Sequence, residues 1–183
     1  MKPITSFFLF STLFCLSLFP QSIVATVNQN NATGANLIET ACQHSGQRDL
    51  CVNSLESDPN THNADLTGLA LIALRIASSN ASDISEHAKL LFKDSTLEPA
   101  VQDGAGECLD HYLDAAEQLD DSIAALLAKA YKDVDTWVKV AIGDADQCET
   151  ALKGKESTMG PKNELFRQLC NNALAITKVL AEK

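Results

Sequence analysis

Aromatic side chains, basic residues and long apolar runs are all scarce in this chain. Phe, Trp and Tyr make up 5% of its 183 residues, with a single Trp, too few to line a sugar-cleaving cleft. Lys and Arg number 14 against 24 Asp and Glu, a net charge of −10, and no basic stripe offsets that excess. Phosphate backbones are bound by clustered cations, so nucleic acid is not an expected partner. Beyond Phe19 the longest apolar run is Leu69 to Leu74, ended by Arg75, well short of the ~20 residues of a membrane span.

Catalytic and metal signatures are missing as well. The chain has no C-x-x-C, H-E-x-x-H or G-x-S-x-G. Its four histidines, His44, His62, His87 and His111, stand at no spacing that gathers the three or four ligands a zinc site needs. Glu107 to His111 is one step longer than the Glu-x-x-His of carboxylate-bridged bundles, and His111 is expected as a surface histidine on a helix flank. Gly104-Ala105-Gly106 is flanked by acids that would repel a phosphate. No catalytic residue, metal or cofactor is therefore expected, and the chain is not expected to be an enzyme.

The first 25 residues differ from the rest. Lys2, an apolar stretch from Ile4 to Phe19 and Ile23-Val24-Ala25 have the order of a secretory signal cleaved after Ala25. That segment carries one lysine and no acid, so its removal takes the charge from −10 to −11. A polar leader, 26–35, follows, with the helical domain over 36–183. Export also suits the cysteines, since Cys42, Cys51, Cys108, Cys148 and Cys170 remain in what would be an oxidising compartment. Five cysteines imply two disulfides and one free thiol, and counting alone does not say which pairs form.

Helical periodicity narrows the pairing. Asn36 to Gln43 and Gln47 to Ser57 read as two short helices around His44-Ser45-Gly46, each with one cysteine, and a Cys42–Cys51 bond would clip them together. After Asp58-Pro59-Asn60, Asn63 or Asp65 can cap a long helix with Leu66, Leu69, Ala73, Ile76, Ala77, Ile84, Ala88 and Leu91 inside. A kink or fray is expected over Ser78 to Ser85, which is poor in helix formers. Pro99 opens the next helix, with Val101, Ala105, Cys108, Tyr112, Ala116 and Leu119 on one stripe, continued by Ile123, Leu126 and Leu127. Asp133 is expected to cap a third, carrying Val134, Trp137, Ala141, Ala145, Cys148 and Leu152. Asn163 is expected to cap a fourth, with Phe166, Leu169, Ala173, Ile176 and Leu180. The fold class is all-α, an antiparallel four-helix bundle preceded by a helical hairpin. Cys108 and Cys148 lie on facing core stripes of neighbouring helices near mid-length, so we pair them, leaving Cys170 as a partly buried structural thiol, with a mixed disulfide or a dimer bridge as the other reading.

Two features concern the surface. Asp103, Glu107, Asp110, Asp114, Glu117 and Asp121 recur at steps of four and three, about 180° from Cys108 at about 100° per residue. Such a row is a solvated face or an electrostatic docking strip for a basic protein partner. Asn31-Ala32-Thr33 and Asn80-Ala81-Ser82 are N-glycan acceptor sequons, and a glycan at Asn80 requires that residue to face solvent.

The cysteine framework then becomes specific. Leu37-Ile38-Glu39-Thr40-Ala41-Cys42, Asp49-Leu50-Cys51-Val52, Leu55-Glu56-Ser57-Asp58-Pro59, Ala64-Asp65-Leu66-Thr67-Gly68-Leu69-Ala70 and Gly143-Asp144-Ala145-Asp146-Gln147-Cys148-Glu149 together resemble the plant invertase and pectin methylesterase inhibitor family. The resemblance implies a bundle with first-to-second and third-to-fourth cysteine disulfides. It also implies secretion to the apoplast, or the vacuole, and 1:1 occlusion of a carbohydrate-active enzyme's cleft. Where one type of invertase inhibitor has Pro-Lys-Phe, in the loop before the third bundle helix, this chain has Tyr131-Lys132-Asp133. Cys170 resembles the fifth cysteine common among pectin methylesterase inhibitors, whereas Gln147 and Thr150 depart from their pattern and Leu66 to Ala70 is closer to invertase-type members. The expected target is pectin methylesterase, with acid invertase the alternative and a non-inhibitory secreted bundle the third reading. Asp110, Asp114, Glu117, Tyr131 and Lys132 are the expected partner-binding residues.

Overall fold

The computed structural model describes residues 36–182, so the expected signal and leader, with Asn31, lie outside the described residues. A helical turn, α1 (36–41), and α2 (Arg48–Glu56) form the hairpin, clipped by Cys42–Cys51 with Cα atoms 5.8 Å apart. Four long helices follow: α3 (Leu66–Lys93), α4 (Pro99–Leu127), α5 (Tyr131–Ala151) and α6 (Met159–Ala181). Each packs against the next and α6 closes back on α3, while α2 lies against α3 and α6. This is the expected antiparallel bundle with its hairpin.

Local chemistry accounts for most helix ends. The Asp65 carboxylate accepts the Gly68 N–H at 2.8 Å, capping α3, and Pro99 occupies the first turn of α4, where its missing N–H costs nothing. α4 ends without glycine. Ala130 N–H donates to Ala125 C=O and Lys129 N–H to Leu126 C=O, a Schellman pair that puts Lys129 at φ 58°. The chain therefore reverses in three residues and α5 begins at Tyr131. Asp133 lies inside the first turn of α5 rather than capping it, and α6 starts after Thr158, so Asn163 is an interior residue.

The expected break in α3 is absent. Ser78 to Ser85 continues the helix because Ala77, Ala81, Ile84 and Ser85 are buried there, and packing outweighs weak helix propensity. The hydroxyls of Ser82 and Ser85 donate back to the carbonyls of Ser78 and Ser82, at 3.1 and 2.8 Å.

α5 also turns slightly from the expected stripe. Val134, Val138, Ala141, Ala145 and Cys148 are buried, and Trp137 is left 37% exposed at the helix edge. On α4, Ala115 is buried in place of Ala116, and Leu127 points outward. At the centre Tyr112 is fully enclosed, its ring edge-on to Phe166 with centroids 5.2 Å apart and its hydroxyl donating to Asn163 Oδ1 at 2.9 Å.

The second disulfide joins Cys108 to Cys148 with Cα atoms 4.4 Å apart, and it sits near the end of α5 rather than at mid-length. Gly104, one turn earlier on α4, makes that approach achievable. A Cβ there would lie 2.8 Å from Leu152 Cδ2 and 2.9 Å from the Ala151 carbonyl oxygen. Backbone cannot yield as a flexible side chain can. Gly104→Val is expected to lower stability by about 2 kcal/mol or more, read from the urea midpoint at unchanged slope; an unchanged midpoint would contradict the close helix approach.

Candidate interaction surface

α4 turns its acids outward. Asp103, Glu107, Asp110, Asp114, Glu117 and Asp121 are all exposed, and none forms an ion pair with a described residue. Like charges at this spacing repel by a few tenths of a kcal/mol per pair, roughly, a cost the buried opposite face absorbs. The row stands on a helix fixed to α5 by the disulfide.

The α5 flank of that row is polar where a bland surface was expected. His111 Nδ1 lies 3.1 Å from Asp144 Oδ1, so this histidine joins two helices instead of standing alone in solvent. Asp144 Oδ2 and Gln118 Oε1 are buried without a hydrogen-bond partner. Burial raises the Asp144 carboxyl above its ordinary 3.8, with His111 working in the opposite direction.

Tyr131 and Lys132 occupy the first turn of α5, not a loop, because the Schellman reversal at Lys129 leaves no loop there. They line a groove of about 1010 Å³ between the hairpin turn, the head of α5 and the tail of α6. Their distance from the acid row follows from helix rise. With Cys108 opposite Cys148, Lys132 stands about 10 Å beyond Glu117 and about 21 Å beyond Asp110 along the bundle axis. The five expected partner-binding residues thus form two patches, one on α4 and one on the α5–α6 side.

Other polar features are structural. Arg167 on α6 ties Asp146 at 3.0 Å, Glu149 at 2.6 Å and Glu164 at 3.4 Å, a network joining α5 and α6 that was not expected from the sequence. Its signal would have been Asp146 and Glu149 on one face of α5 facing the only arginine of the last helix. Cys170 is fully buried rather than partly, and burial pushes its thiol far above the ordinary range, which leaves it unreactive. Asn80 is half-buried in mid-α3 with Oδ1 enclosed and unpartnered. Among the described residues no group of three or more His, Cys, Asp or Glu could hold a metal ion.

Comparison with known proteins places this geometry. Residues 36–176 match the family described as plant invertase/pectin methylesterase inhibitor. The chain belongs to that family. It is one of inhibitors, not enzymes. A putative invertase inhibitor from Platanus acerifolia is 32% identical over 155 residues, covering 80% of this chain and 86% of that protein. A pectinesterase inhibitor from Actinidia deliciosa is 26% identical, covering 93% and 94%. Among solved structures, a mutant form of a pectin methylesterase inhibitor from Arabidopsis superposes with a TM-score of 0.66 at 21% identity, over 77% of this chain and 95% of that one, a likeness of fold.

The Asp144 shift gives the inhibitor bundle a testable pH response. With the folded value above 3.8, protonated Asp144 favours the fold, fully below pH 3.8, and that contribution disappears as pH rises through the raised folded value. Asp144→Asn is expected to flatten unfolding free energy against pH above 3.8; an identical slope in the variant would contradict this assignment.

Proposed function

We propose that this chain is a secreted protein inhibitor of pectin methylesterase, acting by 1:1 occlusion of the enzyme's active-site cleft. The observation that carries the proposal is the row of six exposed, unneutralised carboxylates on a disulfide-fixed helix, within a family of inhibitors. A rigid acidic strip attracts a basic rim, speeds encounter and weakens as salt rises. Asp110, Asp114 and Glu117 are the contacts in that strip, and Tyr131 with Lys132 contribute a separate patch near the α4–α5 turn. Tyr131 is the aromatic of that patch and the anchor we would truncate first. The pectin methylesterase target is supported by the head of α5, where the positions matching Pro-Lys-Phe are wound into a helical turn instead of a loop.

Acid invertase is the second reading, favoured by the 32% identity to the protein named a putative invertase inhibitor. The destination we assign is the apoplast, with the vacuole as its alternative. Among the described residues no helix is long and apolar enough to cross a membrane.

Titrating the protein lacking residues 1–25 against a plant pectin methylesterase and an acid invertase, from pH 4 to 7, tests the proposal. Loss of the esterase activity at one equivalent is expected. Loss of only the invertase activity would move the target, and loss of neither would leave a non-inhibitory bundle. The triple variant D110S/D114S/E117S is expected to inhibit about tenfold less well or worse at low salt with Tm little changed, and undiminished inhibition there would discard the acid row.

A further inference from the structure

The groove beside α5 differs in character from the rest of this acidic protein. Lys132 and Lys178 reach its rim from α5 and α6, and His44 from the hairpin turn. Neither lysine forms an ion pair with a described residue. The acids beside them have partners: Asp135, in the same lining, holds Lys139 at 2.7 Å, and Glu182 lies 3.8 Å from His44. In a chain of charge −10, two uncommitted ammonium groups against Asp135 leave this concave lining with a small positive excess.

The floor is polar and incompletely satisfied. Asn172, 3% exposed, lines the groove. Ser45 Oγ accepts the Gln47 N–H at 3.0 Å and donates its own proton to Asn172 Oδ1 at 2.5 Å, which sets the orientation of the amide. Asn172 Nδ2 is left as a donor with no partner. A buried donor in that state costs about 1–3 kcal/mol and marks a polar layer beneath the groove. Along the walls Asn171 offers donors and an acceptor, Gln168 its carbonyl and the second N–H of an amide that donates to Glu164 at 2.7 Å, and Thr136 an acceptor, its proton going to the Lys132 carbonyl at 2.9 Å; the Tyr131 ring with Leu174 gives an apolar side.

We infer that this groove is a binding site for a sugar acid, a carbohydrate whose carboxylate is held between Lys132 and Lys178 while its hydroxyls meet the amide and hydroxyl groups of the walls. Each feature selects part of that chemistry. The lysines require an anion, the mixed donors and acceptors require hydroxyls, and a groove of about 1010 Å³ holds a short oligomer rather than one small ion. The groove shares Tyr131 and Lys132 with the patch assigned to the target enzyme, whereas Lys178 and Asn172 belong to the groove alone.

Calorimetric titration of the protein lacking residues 1–25 with trigalacturonate, maltotriose and hexaaspartate tests it. Trigalacturonate is expected to bind with a Kd on the order of 1 mM or tighter, and neutral maltotriose and hexaaspartate at least about tenfold more weakly. K132Q/K178Q is expected to weaken trigalacturonate binding by about tenfold or more at unchanged Tm. K178Q alone should weaken it while leaving enzyme inhibition as in the parent, which distinguishes sugar-acid binding from docking of the target enzyme. Absent binding at millimolar trigalacturonate, equal binding of maltotriose or hexaaspartate, or indifference to K132Q/K178Q would each overturn the assignment.

Discussion

The approach of α4 to α5 at Cys108 and Cys148 is the constraint on which the rest of the molecule depends. A Cα separation of 4.4 Å brings the two helices closer than side chains ordinarily allow, and only the missing side chain of Gly104 makes room for Ala151 and Leu152. By the loop-entropy relation, closing a loop across a sequence separation of 40 stabilises by about 4 kcal/mol, against about 3 for the separation of 9 at Cys42–Cys51. That is a large share of an ordinary domain's net stability. It lets the outer face of α4 carry six like charges without a partner, and it fixes the register that brings His111 to Asp144.

This division of labour suits an inhibitor. The inner faces hold one continuous core around Tyr112 and Phe166, and the charged residues of α4 are left to the outside. What the family requires of such a chain is a surface that keeps its shape on contact. A cross-linked bundle loses little conformational entropy on docking, so its binding energy is not spent on ordering itself. The few described aromatics divide accordingly: Tyr112 and Phe166 serve the core, and Phe92, Tyr131 and Trp137 are left at the surface or partly buried.

Much of this was legible in the sequence, for physical reasons that differ by element. Helices with apolar residues three and four apart, such as Leu66 to Leu91, announce which face is buried, and the same periodicity places Cys108 and Cys148 opposite each other. Helix ends were less legible. Asp133 and Asn163 have the chemistry of caps, yet α5 starts earlier because a backbone Schellman pair turns the chain at Lys129 without glycine. α6 starts after Thr158, so Asn163 is free to meet Tyr112 inside the core. Continuity of α3 through Ser78 to Ser85 depends on partners far away in the chain, which local propensity does not register. The groove was hidden for the same reason, since Ser45, Lys132, Asn172 and Lys178 converge only once the bundle closes.

Native-state hydrogen exchange on the oxidised protein and on C108A/C148A tests the central claim most directly, with C42A/C51A as the control. If the α4–α5 link sets the stability of the whole bundle, its removal should speed exchange of the most protected α4 and α5 amides by roughly a thousandfold, equivalent to about 4 kcal/mol. Removing the hairpin disulfide should act chiefly on α1 and α2. Unchanged protection of the deep α4 and α5 amides in C108A/C148A would contradict the account.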